Sequence, residues 1–200
     1  MKKNIWAIIP ARSGSKGIKE KNIKLLNKRP LFSYTILSAI KSKVFNKVLV
    51  LTDSIKFAKM AKKYGAEIPF LRPKEISNDD STDNELYEFL IKFLDKKKII
   101  PPDFFAHLSP TAPIRLNNVI KRGVEYFFRK KKMFESMRSV SEMPQPSYKT
   151  MRIIDGKLCS IIKKDFDLNK LNMPRQLYQK TYIPNGLIDI FSTKSFLKNK

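Results

Sequence analysis

The chain has one cysteine, few acidic residues and no long apolar run, and each shortage excludes a class of protein. A single cysteine, Cys159, among 200 residues excludes an internal disulfide and is typical of a reducing compartment. No apolar run approaches the roughly 18 residues of a membrane-spanning helix, and the opening run is shorter than a signal peptide requires. We therefore expect a soluble cytoplasmic protein without a membrane partner.

The shortage of acidic residues leaves a large positive charge. Lys and Arg number 41 against 18 Asp and Glu, so the formal net charge is +23. Such a charge raises the hypothesis of a nucleic-acid partner. The lysines are spread through nearly every segment, however, and the basic run 129–132 lies at the end of a predicted helix, where cations suit the helix dipole. Nucleic-acid binding is therefore retained only as an alternative.

The first strand and the loop after it contain the most informative motif. The five consecutive apolar residues Ile5 to Ile9 predict a buried strand that Pro10 ends. The loop that follows contains Gly14 and Gly17, which allow close approach of a ligand. It also contains four cations within ten residues, namely Arg12, Lys16, Lys19 and Lys21. A polyphosphate site and a solvated basic turn are both compatible with this pattern, whereas the P-loop and G-x-G-x-x-G spacings are absent.

The next segments alternate between strand and helix patterns. A helix begins at Pro30, a strand covers Val48 to Leu51, a helix runs from Ile55 to Tyr64, and a short strand covers Ile68 to Leu71. Either Asp53 or Ser54 can cap the second helix. This alternation indicates a mostly parallel sheet with helices on both faces, and an apolar content of 42% in 200 residues suffices for one α/β domain.

Six further elements complete the predicted order. They are a helix through Leu86 and Leu94, a strand at Phe104–Leu108, a helix capped by Asn117, a strand at Ser136–Ser141, a hairpin at Met151–Ile162 turning at Asp155-Gly156, and a strand at Leu187–Phe191. The polar stretch 77–83 is interpreted as the cap of the first of these helices. His107, the single histidine, is interpreted as a strand residue rather than as part of a triad or metal site.

Several motifs resemble those of the CMP-sialic acid synthetases, or acylneuraminate cytidylyltransferases, which join CTP to a nonulosonic acid. The string A-R-S-G-S-K-G-x-x-x-K-N at 11–22 resembles their signature, and L-R-P-K-E-I-S-N-D at 71–79, S-P-T-A-P-I-R at 109–115, P-R-Q at 174–176 and P-N-G at 184–186 extend the match. The resemblance implies a nucleotide-diphospho-sugar transferase-like, Rossmann-like fold. It implies one cytidylyltransferase domain over residues 1–200, with an inserted antiparallel hairpin.

The resemblance also implies roles for particular residues. Arg12, Lys16 and Lys21 would be the catalytic cations, which hold the triphosphate and orient the reacting phosphate. Arg72 would contact the pyrimidine side of CTP, and the hydroxyl of Ser81 or Thr82 would lie near the reacting phosphate. The implied nucleotide-binding residues are Ala11, Arg12, Ser13, Gly14, Ser15, Lys16, Asn22, Arg72, Ser81 and Thr82.

On the sugar side, Lys149 and Arg175 would pair with the carboxylate of the acidic substrate. The implied sugar-binding residues are Ser109, Thr111, Lys149, Arg175, Gln176 and Asn185. Mg²⁺ is the expected cofactor, with no ligands assigned. Segment 144–183 would be an excursion that faces the substrate and forms a homodimer.

The sequence departs from the family pattern at three places. Ser109 stands where glutamine is usual, Asp189 stands where an aromatic residue is common, and no aspartate-rich D-I-D-type motif follows. We therefore expect either a truncated chain or a metal site completed differently. Two alternatives remain open: another sugar-acid nucleotidyltransferase of the same fold, and a basic nucleic-acid-binding module.

Overall fold

The structure is a computed structural model that describes residues 3–116, 118–161 and 172–198. The chain divides into two units. Unit 1 comprises Met1–Ser139 and Gly186–Lys200, and unit 2 comprises Val140–Asn185. Unit 2 encloses the segment 144–183 for which the sequence predicts an excursion, and the role of this segment in dimerisation stays a prediction.

The described residues form strands and helices in an alternating order. The elements are β1 (Ile5–Pro10), β2 (Leu25–Leu26), β3 (Arg29–Pro30), α1 (Leu31–Ser42), β4 (Lys47–Leu51), α2 (Ile55–Lys63), α3 (Asp83–Lys96), β5 (Phe104–His107), α4 (Val119–Lys130), β6 (Ser136–Glu142), β7 (Met151–Ile154), β8 (Lys157–Ser160), β9 (Tyr182–Ser192) and α5 (Thr193–Lys198). No helix among these is long and apolar enough to span a bilayer.

The central sheet has the strand order β4-β1-β5-β9-β6. β1 pairs in parallel with β4 and β5, whereas β9 runs antiparallel to β5, with Phe105 opposite Phe191. The predicted α/β fold with a mostly parallel sheet is confirmed. The carboxyl ends of β4, β1 and β5 therefore meet at one edge, where ligands of such sheets bind.

Alternate residues of β1 bury against opposite layers of helices. Ile5, Ala7 and Ile9 pack with α1, α2 and α4, whereas Trp6 and Ile8 pack with α3. Since strand side chains alternate between the two faces of a sheet, a strand that is apolar at every position is one that is covered on both faces. The prediction of helices on both faces is thereby confirmed.

The caps of α2 and α3 follow local rules. Ser54, rather than Asp53, caps α2, because its side chain accepts a hydrogen bond from the Phe57 backbone N–H. Thr82 and Glu85 form a capping box at the start of α3, as the interpretation of the polar stretch requires.

Three details differ from the sequence pattern, in which the spacing of apolar residues predicts that Ile40 and Ile55 lie on the inward faces of their helices. Ile55 is 61% exposed, because it lies at the first position of α2, and Phe57 fills the core instead. Ile40 of α1 is also exposed, while its neighbour Ala39 is buried. The segment 68–71 forms no continuous strand within the described chain; Leu71, its last residue, makes an isolated bridge to Thr52, and Glu67, just before it, makes one to Leu49. Pro69 lies between these bridges and cannot donate to a ladder.

Two further predictions concern helix α4 and the hairpin. The predicted cap of α4, Asn117, lies outside the described residues, and the helix follows Asn118. The hairpin is confirmed as β7 and β8, although Ile162 also lies outside the described residues. Asp155 and Gly156 both have positive φ, 50° and 73°, as the tight turns of two-residue hairpins require.

Candidate functional site

The basic loop is attached at its start to the end of β4. The Ala11 N–H donates to the Leu51 carbonyl at 2.9 Å. The Ser13 backbone N–H and hydroxyl both donate to the Asp53 carboxylate, at 2.7 and 2.6 Å. From the sequence, Asp53 is predicted only as a possible helix cap, and this contact is not predicted. A carboxylate that directly follows a parallel strand beside the loop was the signal for it.

The loop keeps open space at its glycines. At Gly14 and Gly17 an added Cβ would meet no described atom within 4 Å, and neither residue is among those with positive φ. The backbone conformation at these two positions therefore does not itself require glycine. The open space is compatible with the predicted close approach of a ligand.

Asn22 closes the loop from the other end. Its buried side-chain amide donates to the Arg12 carbonyl at 2.9 Å, so residues 12 and 22 are held together. Its Oδ1 is buried and has no hydrogen-bond partner among the described residues. A buried acceptor without a partner is costly, so this oxygen is a candidate contact for a bound ligand. Lys21 precedes it in a short 3₁₀ turn, Lys21–Ile23.

Two of the predicted phosphate-binding cations converge on one carboxylate. Arg12 Nη2 lies 2.9 Å from Asp79 Oδ1, and Lys16 Nζ lies 3.1 Å from Asp79 Oδ2. Arg12 Nη1 also donates to the Asn78 carbonyl at 2.5 Å. The hydrogen bond from Lys16 lowers the pKa of Asp79, and the hydrogen bond from Arg12 lowers it by a smaller amount. An arginine fork and a lysine aimed at the same point form an arrangement suited to a phosphate.

Arg72 lies at the same edge of the sheet but is buried. Its backbone N–H donates to the Thr52 carbonyl at 2.8 Å, and its Nη2 donates to the Ile76 carbonyl. Its Nε is buried without a partner among the described residues. Burial lowers the pKa of Arg72. The negative charge of Asp53 opposes this shift, and the positive charge of Arg12 increases it. The structure thus brings Arg12, Lys16, Asn22 and Arg72 to one region.

Ser81 and Thr82 are both engaged in the turn before α3. The Ser81 hydroxyl accepts from the Asn78 backbone N–H at 3.0 Å, and Thr82 Oγ1 accepts from the Glu85 N–H at 3.2 Å. These contacts give both side chains a structural role. Their predicted role beside the reacting phosphate stays a prediction.

The segment 109–115 is organised by Arg115, a residue for which the sequence analysis named no role. Its guanidinium donates to five neutral acceptors, namely the carbonyls of Leu187, Ala112, Ser109 and Gly186 and the hydroxyl of Thr35. Burial lowers the pKa of Arg115 to about 10, so it remains charged at neutral pH. The Ser109 and Thr111 hydroxyls lie 2.8 Å apart in the segment that Arg115 holds.

Gly186 packs directly beneath Ser109. Its φ is +68°, and a Cβ added to it would lie 2.9 Å from the Ser109 Cβ. Both the backbone conformation and the lack of space require glycine here. The glycine of the P-N-G motif therefore fixes the position of a predicted sugar-facing loop.

His107 lines a cavity of about 510 Å³ in unit 1. Its Nδ1 lies 2.9 Å from the Tyr87 hydroxyl and 3.8 Å from Asp83 Oδ2, and burial lowers its pKa. Asp189, which replaces the usual aromatic residue, lies in the same cavity and pairs with Arg138 at 2.9 Å. His107 is a residue of β5, as predicted, but it has polar partners that the sequence did not indicate.

The remaining predicted sugar-binding residues belong to unit 2. Arg175 and Gln176 line a cleft of about 470 Å³ within that unit. Lys149 Nζ donates to the Met173 carbonyl at 2.7 Å and lies 5.5 Å from the centre of the Tyr178 ring. Asn185 donates to the Ser141 hydroxyl at 3.0 Å. The roles of these residues toward a sugar stay predictions.

Known proteins resemble this chain in sequence and in fold. A family profile described as cytidylyltransferase matches residues 6–103. The N-acylneuraminate cytidylyltransferase of Escherichia coli is 36% identical over 202 residues, which cover 100% of this chain and 45% of that protein. The CMP-N,N'-diacetyllegionaminic acid synthase of Legionella pneumophila is 33% identical over 200 residues, which cover 98% of this chain and 81% of that protein.

A solved structure supports the fold. The CMP:2-keto-3-deoxy-manno-octonic acid synthetase, in complex with CTP, superposes with a TM-score of 0.66 at 14% identity over 98% of this chain and 77% of that chain. At this identity the likeness shows the fold alone.

The chain spans less than half the length of the Escherichia coli relative but four fifths of the Legionella one. With the profile match and the loop motif, this similarity shows that the chain belongs to the acylneuraminate cytidylyltransferase, or CMP-sialic acid synthetase, family.

Proposed function

We propose that this protein is a cytidylyltransferase that activates an acidic nonulosonic sugar with CTP, giving a CMP-sugar and pyrophosphate. The observation that carries the proposal is the convergence of Arg12 and Lys16 on one anionic group beside the carboxyl edge of a parallel sheet. The names of the related proteins, which specify acylneuraminate and diacetyllegionaminic acid, support the class of sugar.

In the proposed complex, the loop after β1 holds the triphosphate. Arg12 binds phosphate oxygens as a planar fork, and Lys16 binds them as a point charge. Lys21 orients the reacting phosphate. Buried Asn22 Oδ1 and Arg72 Nε, which lack partners among the described residues, offer an acceptor and a donor to the nucleotide. The backbone of Ala11 to Ser15 and the hydroxyls of Ser81 and Thr82 complete the proposed nucleotide site.

The proposed reaction is a displacement at the α-phosphorus. The anomeric hydroxyl oxygen of the sugar forms a bond to this phosphorus and loses its proton, while the bond to the bridging oxygen of pyrophosphate breaks. Such transfers depend on in-line positioning and on neutralisation of charge more than on covalent chemistry. The cations Arg12, Lys16 and Lys21 supply that neutralisation.

For the sugar side, we assign the carboxylate of the substrate to Lys149 and Arg175. Gln176 and Asn185 are assigned to its hydroxyl groups. Ser109 takes the place of the usual glutamine, and its hydroxyl, paired with that of Thr111, offers a shorter polar contact. The cleft of about 470 Å³ beside Arg175 and Gln176 provides open space within unit 2.

Mg²⁺ is part of the proposal as the companion of CTP. No group of three or more His, Cys, Asp or Glu side chains that could hold a metal occurs among the described residues. Mg²⁺ in nucleotide sites keeps several waters and binds through phosphates and one or two carboxylates, so a ready-made protein cage is not needed. When bound, the ion would lower repulsion between the polyphosphate and the anionic sugar.

A homodimer and a cytoplasmic location belong to the same proposal. Ile153 and Leu158 lie opposite each other on the hairpin and are 73% and 54% exposed. Apolar side chains that lie together on a surface are typical of an interface. The cytoplasmic location follows from the single cysteine.

The decisive experiment measures pyrophosphate release with CTP, Mg²⁺ and a panel of sugar acids. The panel contains sialic, legionaminic and pseudaminic acids and one shorter keto-sugar acid, and each nucleoside triphosphate replaces CTP in turn. Release that requires CTP and a nonulosonic acid supports the proposal. Release only with the shorter acid would favour the alternative enzyme of the same fold. No release with any pair would contradict the proposed activity of this chain.

A further inference from the structure

Asp79 occupies the point at which the two phosphate-binding cations meet. Its Oδ1 and Oδ2 are engaged separately, by Arg12 Nη2 at 2.9 Å and Lys16 Nζ at 3.1 Å. Two oxygens on one central atom, each facing a cation, present the same pattern as two oxygens of a phosphate. This carboxylate therefore occupies the cations that the nucleotide would bind.

The turn that contains Asp79 is held by other contacts. The Ser77 hydroxyl donates to the Pro73 carbonyl at 2.7 Å, and the Asn78 amide donates to the Glu75 carbonyl at 3.1 Å. Asn78 also exchanges hydrogen bonds with Ser81. Because none of these contacts uses the Asp79 side chain, the turn can keep its shape when the carboxylate loses its charge.

The two ion pairs are accessible to water. The side chains of Arg12, Lys16 and Asp79 are 30%, 78% and 36% exposed. Exposed pairs are individually weak, since water and salt screen them. A triphosphate, which carries several negative charges, can therefore displace a single carboxylate from the same cations.

We propose that Asp79 is a positioning residue that holds Arg12 and Lys16 ready in the unliganded protein and releases them to the phosphates of the nucleotide. The identity of the nucleotide rests on the proposed function, whereas the displacement requires only a phosphate chain. The apparent affinity for a ligand equals the intrinsic affinity multiplied by the fraction of protein in which the site is free. The Asp79 contact therefore weakens nucleotide binding while it keeps the two cations in place.

The test compares Asp79→Asn with the matched control Asp80→Asn by isothermal titration calorimetry. Both variants remove one negative charge from the same turn, but no ion pair of Asp80 is found in the described part of the chain. The probes are CTP, inorganic tripolyphosphate and cytidine. We expect Asp79→Asn to bind CTP and tripolyphosphate about three- to tenfold more tightly than the unchanged protein, as loss of a weak competing pair implies.

Cytidine separates the proposed role from a purely structural one. Its affinity should be the same in both variants, because it lacks phosphates. The proposal is overturned if Asp79→Asn binds CTP and tripolyphosphate no more tightly than the unchanged protein. It is also overturned if Asp80→Asn produces the same gain, since the effect would then be one of total charge.

The nucleotide panel of the pyrophosphate-release experiment keeps this inference distinct from the proposed function. If the unchanged protein does not prefer CTP over other nucleoside triphosphates, the proposed function fails. The comparison of the two variants with tripolyphosphate still decides the role of Asp79, because it involves neither cytosine nor sugar.

Discussion

Arg12 combines more contacts of the candidate site than its neighbours in the loop. Its guanidinium contacts Asp79 and the Asn78 carbonyl, and its own carbonyl accepts from Asn22. The contact between Asn22 and the Arg12 carbonyl does not depend on the Arg12 side chain. A truncation at this position should therefore remove the cation without dismantling the loop.

Replacement of Arg12 by alanine should weaken the interaction with CTP. We expect a loss of roughly 1.5 to 3 kcal/mol in CTP binding or in kcat/KM, the size of a lost charge-assisted hydrogen bond. Steady-state kinetics with CTP as the varied substrate measures it. Arg29→Ala removes an exposed arginine at the start of β3; it is the control and should have little effect. Unchanged kinetics in Arg12→Ala would contradict the loop assignment.

Replacement of Arg175 by alanine should affect the two substrates unequally. Loss of the partner for a carboxylate should raise the KM for the sugar acid about tenfold or more while the KM for CTP changes little. Arg152→Ala removes an exposed arginine from the same unit and serves as the control. Equal increases in both KM values would show that Arg175 does not contact the sugar acid.

Among the elements, the course of β9 depends on Gly186, which lies within the strand. Alanine at this position would have to adopt a φ of +68° and would place its Cβ 2.9 Å from the Ser109 Cβ. We expect Gly186→Ala to lower the free energy of unfolding by about 1 to 3 kcal/mol. Gly14→Ala is the control, since its Cβ would meet no described atom within 4 Å. Urea unfolding of both variants measures the difference in their free energies of unfolding. Equal stabilities would show that position 186 does not require glycine.

The elements with local signals were predictable, whereas those set by long-range pairing were not. The unbroken apolar run of β1 and the Asp155-Gly156 turn each identify an element from a few adjacent residues. The place of β9, antiparallel between β5 and β6, depends on how distant segments pair, which no local pattern encodes.

The same distinction applies to the candidate site. The motif around Arg12 and Lys16 predicts the loop and the class of its ligand through family resemblance. Their contact with Asp79 joins residues more than 60 positions apart, and the role of Arg115 depends on carbonyls supplied by other segments. Such contacts become visible only when the fold brings the segments together.

For the molecule as a whole, the hairpin of unit 2 predicts self-association. Ile153 and Leu158 form an exposed apolar pair across β7 and β8. We expect the protein to sediment as a dimer and Ile153→Asp to shift it toward the monomer, because a buried unpaired charge opposes association. Arg152→Gln changes the net charge by the same amount on the adjacent residue and should remain dimeric. A monomeric parent protein would contradict the prediction.

The stability of the molecule should also respond to His107. Burial lowers the pKa of His107, the charges of Asp83 and Asp189 oppose the shift, and Arg138 and Arg115 add to it. A histidine whose pKa is lower in the folded state stabilises the fold above its ordinary pKa, and that stabilisation is lost as the pH falls.

The melting temperature should therefore fall more steeply below about pH 6.5 in the parent protein than in His107→Asn. The asparagine amide keeps an acceptor for Tyr87 but does not titrate. Thermal melts from pH 8 to pH 5 measure the difference between the two slopes. Parallel slopes would show that His107 does not contribute to the pH dependence.

The hydrogen bonds of Arg115 have a consequence for the order of folding. Its partners Leu187 and Thr35 lie 72 and 80 residues away along the chain. Contacts at such separations close long loops, whose entropic cost is met only after much of the chain has condensed. We infer that the segment 109–115 becomes ordered late in refolding, after α1, β5 and β9 have assembled. A chain that has already built its sheet would thus still lack an ordered 109–115 loop until these last hydrogen bonds form.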